Sequence, residues 1–176
     1  QRSQHRIDLL DINYLYMPSI DQTFKEDYLE KDENYILKYN YEDRFIVRTG
    51  YSYIYNSAGR ALMNNSGIGN SYTIRLNFES AGNLLYAVAK LGGMKKNASG
   101  EYTLLNIPFA QYLKGDFDFA KNLVIDNRNS LAFHFGAGIA IPYGNATMLP
   151  FEKRYFSGGA NSVRGWSVRD LGPGSF

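Results

Sequence analysis

The segment SLAFHFGAGIAI at residues 130–141 alternates between large apolar side chains and small or polar ones. Successive side chains of a β-strand point to opposite faces, so this pattern predicts a strand with one bulky apolar face and one open face. The apolar face would carry Leu131, Phe133, Phe135, Ala137, Ile139 and Ile141, and the open face Ala132, His134, Gly136, Gly138 and Ala140. The segment is longer than the roughly 5–6 residues of an ordinary strand.

The same period of two occurs in four segments upstream. The clearest is the segment at 71–79, in which Tyr72, Ile74, Leu76 and Phe78 oppose Thr73, Arg75, Asn77 and Glu79. Together the segments predict an all-β, antiparallel fold with five strands, near residues 7–17, 45–56, 71–79, 105–119 and 130–141.

Alternation of this kind is compatible with two architectures. In a β-sandwich the apolar faces pack together, whereas in a membrane barrel they meet lipid and the polar faces line the lumen. Strand length favours a barrel, because membrane strands need about 9–11 residues. Tyr51, Tyr53 and Tyr55 are typical of an interfacial aromatic girdle, although cross-strand aromatic packing would also place them there. Five strands cannot close, since the smallest bacterial membrane barrels have eight.

Composition narrows the class of protein. The 176 residues include 15 Tyr and 11 Phe, and the mean hydropathy is −0.36, with no run of about 18 apolar residues that would predict a membrane helix. There is no Cys, which excludes a disulfide framework and a thiolate metal site. The net charge of +2 is too small to indicate nucleic-acid binding.

The connections carry weaker signals. Residues 57–70 are rich in Asn and Gly and predict a turn, while residues 24–31 could form a short surface helix. Residues 81–100 hold Leu84, Leu85, Val88 and Leu91 at helical spacing before Gly92 and Gly93, a plausible helix end. A further irregular strand is the alternative for this stretch.

Arg164 is the residue that most needs an explanation. It lies in a glycine-rich loop, FEKRYFSGGANSVRGW at residues 151–166. An aromatic lead-in precedes it in this loop, and Gly165 and Trp166 follow it. A guanidinium is always charged and presents a rigid fork of donors. If the loop folds back into a barrel lumen, Arg164 would need a carboxylate partner, and Gly136, Gly138 and Ala140 would leave room for the loop.

The tetrad Val163, Arg164, Gly165 and Trp166 resembles the Val-Arg-Gly-aromatic signature of the BamA/TamA superfamily of outer-membrane barrels, also called bacterial surface antigens. Phe156, Gly158 and Gly159 resemble its aromatic and Gly-Gly lead-in. The family usually has Phe or Tyr after Arg-Gly, and Trp166 keeps the stacking role. The fifth strand with residues 141–145, followed by residues 149–156, looks most like the Bacteroidetes TamA-like branch, and the family resemblance is specific over about residues 130–176.

The resemblance implies a larger protein. The five segments would be strands seven to eleven of a sixteen-stranded transmembrane barrel, followed by the signature extracellular loop at 142–176. The chain would then be an internal fragment, with the POTRA repeats, the carboxylates that hold the loop arginine and the lateral seam outside it.

The resemblance also implies a function. Such barrels sit in the outer membrane of Gram-negative bacteria and insert or translocate other outer-membrane proteins, so unfolded clients and outer-membrane lipid would be partners. Periplasmic or lipoprotein partners would bind through the POTRA repeats. The chain would not be an enzyme, and no catalytic, cofactor or metal residues and no nucleic acid are expected.

The sequence gives little support for nucleotide binding, for a serine hydrolase or for a metal site. The glycine-rich loop lacks the Gly-Lys-Ser/Thr ending of a phosphate loop, and no Gly-x-Ser-x-Gly nucleophile elbow is present. His5 and His134 are far apart, and Asp116 with Asp118 looks like a wetted lumen face more than a cation site. A passive porin and the barrel portion of a patatin-like lipase fusion remain as alternative functions.

Overall fold

The computed structural model describes residues 2–16, 35–58, 70–97, 99–126, 128–158 and 163–167. Long strands dominate it. In chain order the elements are β1 (Arg2–Leu15), α1 (Tyr35–Asn40), β2 (Arg44–Asn56), β3 (Ser71–Ala81), α2 (Asn83–Leu91), β4 (Thr103–Leu104), β5 (Ile107–Pro108), β6 (Tyr112–Val124), β7 (Ser130–Pro142) and a 3-10 turn (Phe151–Lys153).

The five long strands form one antiparallel sheet in the order β1-β2-β3-β6-β7. This confirms the prediction of an all-β antiparallel fold with five strands. Each strand pairs with its neighbour in sequence among the long strands, so the sheet is a simple meander. A bulge between Asp8 and Asp11 adds one residue to β1 and leaves both carboxylates on the same face.

The two faces of the sheet differ sharply. One is apolar, and in the described residues no second layer covers it: Phe78 is 52% exposed, Phe135 59% and Ile139 63%. A sandwich would bury these side chains between its two sheets. An uncovered apolar surface of this extent on long strands is instead the lipid-facing side of a barrel wall. The five strands that the structure describes form an open sheet.

The predicted fourth strand is displaced. The sequence pattern placed it at 105–119, whereas β6 begins only at Tyr112 and continues to Val124. Leu105 and Asn106 have positive φ angles of 51° and 66°, which turn the chain back into the small β4-β5 hairpin. The apolar alternation before Tyr112 therefore belongs to a loop that packs at the sheet end, not to a membrane strand.

A helix follows β3, as the leucine spacing predicts, and the alternative of an irregular strand is wrong. α2 ends at Leu91, and the N–H of the capping residue Gly92 donates to the carbonyl of Val88 at 2.8 Å. The helix suggested at 24–31 lies outside the described residues, as does most of the turn region at 57–70. No helix in the described part of the chain combines the length and apolar character needed to cross a membrane.

The buried core lies at one end of the sheet. Here the long connections gather, at the end where β1 and β7 finish, and we call it the loop end. Ile46, Ala81, Ala110 and Tyr112 form the core, and each is at most 1% exposed. The polar side chains of Gln111 and Asn145 are buried beside it. This packing fixes where the chain leaves β7.

At the opposite end, β6 and β7 join through a tight turn. The carboxylate of Asp126 accepts hydrogen bonds from the backbone N–H of Arg128 at 2.7 Å and of Asn129 at 2.8 Å, and from Asn129 Nδ2 at 2.8 Å. The side-chain bond from Asn129 is the main cause of a lowered Asp126 pKa, and the backbone bond from Arg128 adds to it. The ionised carboxylate therefore holds the turn.

This gives a pH prediction for the turn. Because the folded-state pKa lies below the ordinary value of 3.8, the contribution of Asp126 is complete above that value and is lost as the pH falls below it. We expect the Arg128 and Asn129 amides to lose hydrogen-exchange protection in acid, after correction for intrinsic exchange chemistry. Asp126→Ala should show weak protection at every pH. A step of equal size in that variant would contradict the assignment.

Candidate functional site

The polar face of the sheet is densely charged. The pairing register aligns its side chains in rows across the strands, such as Gly50 with Glu79 and Lys114. The ionisable groups on this face include Asp8, Asp11, Arg48, Arg75, Glu79, Lys114, Asp116, Asp118 and His134. The face is therefore suited to an aqueous lumen and can bind a polar loop.

The chain after β7 returns over this polar face. A turn at Gly144 (φ 62°) reverses its direction, and the side chain of Asn145 is buried among the loops of the loop end. The 3-10 turn then presents Lys153 and, just beyond it, Tyr155 to the strands. We call residues 149–156 the return segment.

Lys153 completes a charged network on the wall. Its Nζ lies 2.8 Å from Oε1 of Glu79, and Oε2 of Glu79 accepts from Arg48 Nη1, also at 2.8 Å. Arg48 in turn donates from Nε to Asp11 at 2.7 Å, and the hydroxyl of Tyr112 donates to Glu79. The network thus joins β1, β2, β3 and β6 to the return segment. It contains two carboxylates and two cations, and one of the cations comes from the return segment.

Tyr155 makes the second contact. Its hydroxyl donates to Asp116 Oδ1 at 2.5 Å, and the Nζ of Lys114 lies 4.3 Å from its ring centroid. The same Nζ donates to the carbonyl of Lys153 at 3.3 Å. Burial raises the Tyr155 pKa, and the hydrogen bond to Asp116 raises it further, so the phenol remains a proton donor at physiological pH.

A glycine forms the seat for this phenol. A Cβ at Gly138 would lie 2.5 Å from the hydroxyl oxygen of Tyr155 and 2.6 Å from its Cζ, far inside van der Waals contact. A Cβ at Gly136 would meet only Asp118 Oδ2, at 3.8 Å, and His134 Cε1, at 4.0 Å. The sequence predicts room for a loop at the small residues of this strand, and the structure places Tyr155 in that space at Gly138.

The signature residues lie farther along the chain. Val163, Arg164, Gly165 and Trp166 are all exposed and form a turn, in which the Trp166 N–H donates to the Val163 carbonyl at 3.4 Å and Gly165 has a φ of 92°. In the lead-in, Phe156 is exposed and Gly158 is buried with a φ of 104°, while Gly159 lies outside the described residues. The proposed lumen bracing by Arg164 stays a prediction.

Sequence reasoning missed the residues whose contacts hold the return segment on the sheet. Lys153, Tyr155, Glu79 and Arg48 carry no motif, and only the strand register and the return of the chain bring them together. The nearest sequence signal is the presence of charges of both signs along β3 and β6, beside an arginine on the polar face of β2. It indicates a polar lining but not which charges meet.

No metal or cofactor chemistry is evident in this part of the molecule. In the ranges that the structure describes, no group of three or more His, Asp or Glu side chains could hold a metal ion. His134 Nε2 lies 2.5 Å from Asp118 Oδ2, a simple pair on the polar face. The predictions that the chain has no catalytic residue and no cofactor remain untested expectations.

A lipid-facing antiparallel wall with a loop returned over its polar side defines a section of a transmembrane β-barrel. A family model described as the Omp85 superfamily domain matches residues 10–176, and the chain belongs to this superfamily. It is an outer-membrane family whose members assemble or translocate outer-membrane proteins. Comparisons with curated proteins and with solved structures found no significant match.

Proposed function

We propose that the chain is the central wall of an outer-membrane barrel that inserts or translocates other outer-membrane proteins in a Gram-negative bacterium. The return segment is the observation that carries the proposal. An ordinary surface loop would leave the barrel rim for solvent, whereas Lys153 and Tyr155 turn back onto the polar face. A loop held inside the lumen is what the resemblance to the BamA/TamA signature implies.

The proposed mechanism is strand addition. An incoming unfolded client would pair its strands with an unpaired edge at the seam of the barrel. It would form the same kind of backbone hydrogen bonds that join neighbouring strands of the sheet described here. Such a reaction needs no nucleotide, cofactor or catalytic side chain. The wall described here would form the fixed side of the barrel, opposite the seam, and Arg164 would brace the loop inside the lumen.

The finer assignments belong to the same proposal. The full barrel would have sixteen strands and resemble the Bacteroidetes TamA-like branch, with POTRA repeats that recruit periplasmic or lipoprotein partners. The loop end would face the cell exterior, because outer-membrane barrels carry their longer connections there. Outer-membrane lipid would cover the apolar face.

The test replaces Arg164 by alanine in cells that depend on this protein. A charged group with paired hydrogen bonds contributes about 1.5–3 kcal/mol, so the population with the loop braced should fall about tenfold or more. We expect the levels of other outer-membrane barrels to fall with it. Arg128→Ala is the matched control, because Arg128 is an exposed arginine in the turn at the opposite end of the sheet.

The outcomes separate the candidate functions. Reduced client levels with Arg164→Ala and normal levels with Arg128→Ala, at equal amounts of both variants, support an assembly barrel. Normal client levels together with a changed ion conductance of the purified barrel would instead indicate a passive pore. Normal values in both measurements would remove Arg164 from the proposed function.

A further inference from the structure

We propose that Tyr155, seated on Gly138, and Lys153, paired with Glu79, form an anchor that holds the return segment on the inner wall without Arg164. The inference deepens the proposed function, on which its biological meaning rests. Its structural content is separate, because the anchor consists of contacts of Lys153 and Tyr155 with β3, β6 and β7, and Arg164 takes part in none of these contacts.

The steric argument concerns one position. A glycine inside a strand weakens the strand and often marks the close approach of another group. At Gly138 the approaching group is the phenol of Tyr155, which a Cβ would displace because it would lie 2.5–2.8 Å from three ring and hydroxyl atoms. At Gly136, two residues away on the same face, a Cβ would make only ordinary contacts. The absence of a Cβ at position 138 is therefore needed for the contact with Tyr155, whereas position 136 has no such requirement.

The electrostatic argument concerns charge balance. Without the return segment, the network on the strands holds two carboxylates, Asp11 and Glu79, for one guanidinium, Arg48. Lys153 supplies the missing positive charge at 2.8 Å from Glu79, and both side chains are less than a fifth exposed. Charges removed this far from water need partners. Lys153 thus balances the excess negative charge within this hydrogen-bonded network.

The anchor also shortens the length of chain between the last fixed point and the turn at residues 163–166. From Pro142, the end of β7, to Arg164 the chain runs 22 residues, but from Tyr155 it runs only 9. The cost of bringing a chain end to a fixed partner grows with the length of the intervening loop. A segment anchored at Tyr155 therefore delivers Arg164 to a smaller region of the lumen than a free loop would.

The experiment compares Gly138→Ala with Gly136→Ala in the full-length barrel in lipid vesicles. The rate of trypsin cleavage after Lys153 and Arg154, followed by mass spectrometry, reports whether the return segment leaves the wall. We expect cleavage to be at least tenfold faster in Gly138→Ala and unchanged in Gly136→Ala. Arg164→Ala should leave this rate near the wild-type value.

Three results would overturn the anchor: equal rates in the two glycine variants, rapid cleavage of the wild type, or acceleration by Arg164→Ala as large as that by Gly138→Ala. Should Gly138→Ala fail to fold, Tyr155→Ala removes the phenol without altering a strand and should give the same acceleration. Trypsin cleavage does not depend on client assembly, so loss of the proposed function would leave this measurement intact.

Discussion

Glu79→Ala is expected to lower the free energy of unfolding of the full-length barrel by about 3 kcal/mol, the lower end of the range for breaking a buried ion pair. Glu79 is the acceptor for three donors, Lys153, Arg48 and Tyr112, and its side chain is 15% exposed. Alanine would leave two cations and a buried hydroxyl without this partner. The lower end of the range applies because Lys153 and Arg48 retain some contact with water.

Urea unfolding of the barrel in lipid vesicles measures this loss. Asp8→Ala provides the control, since Asp8 lies on the same face but pairs with Arg6, whose side chain is 76% exposed. Such an exposed pair contributes about 0–1 kcal/mol. Glu79→Gln should fall between the two, because the amide oxygen can still accept hydrogen bonds but the NH₂ group would lie among cations. Equal stability of the Glu79 and Asp8 variants would show that the network adds nothing to the wall.

Asn145→Ala is expected to cost about 2–3 kcal/mol, again in the free energy of unfolding, by leaving buried backbone groups unpaired. Asn145 Nδ2 donates to the carbonyls of Tyr102 at 2.9 Å and Phe109 at 3.0 Å, and its Oδ1 accepts from the Tyr102 N–H at 2.5 Å. Asn145 itself is 2% exposed. Alanine can form none of these bonds, and water has little access to replace them.

The loss should be local to the loop end. Hydrogen exchange would show weaker protection of the Tyr102 amide and of the β4-β5 hairpin, while amides of β6 and β7 near their turn keep their protection. Asn122→Ala is the control, because Asn122 lies on β6 near the end of the sheet opposite the loop end. This substitution should change the free energy of unfolding by less than about 0.5 kcal/mol. Equal losses in both variants would contradict the role of Asn145 as a clasp between loops.

These two sites have related effects on the return segment. Asn145 fixes the point at which the chain leaves β7, because its backbone N–H donates to Gln111 Oε1 at 2.8 Å and its side chain joins the loop before β6. Lys153, eight residues after Asn145, then pairs with Glu79. The loop end thus sets the direction of the return segment, and the polar wall receives it.

The amino-acid sequence by itself determined the strands and the character of their faces. A period of two over long segments predicts β-strands, and β3 and β7 start at their predicted positions and extend only one or two residues further. The helix after β3 was also predictable, because four apolar residues at helical spacing end at two glycines. Resemblance in the loop at 151–166 indicated the family that the Omp85 match confirms.

The tertiary structure decided the rest, and long-range geometry is the reason. Local alternation before Tyr112 predicted a strand, but positive φ angles at Leu105 and Asn106 turned that stretch into a hairpin that packs at the loop end. The contact of Tyr155 with Gly138 depends on register and on the reversal at Gly144, which no local pattern encodes. Side-chain period specifies which face a residue occupies, whereas its partners on that face are set only when the strands pair and the loop returns.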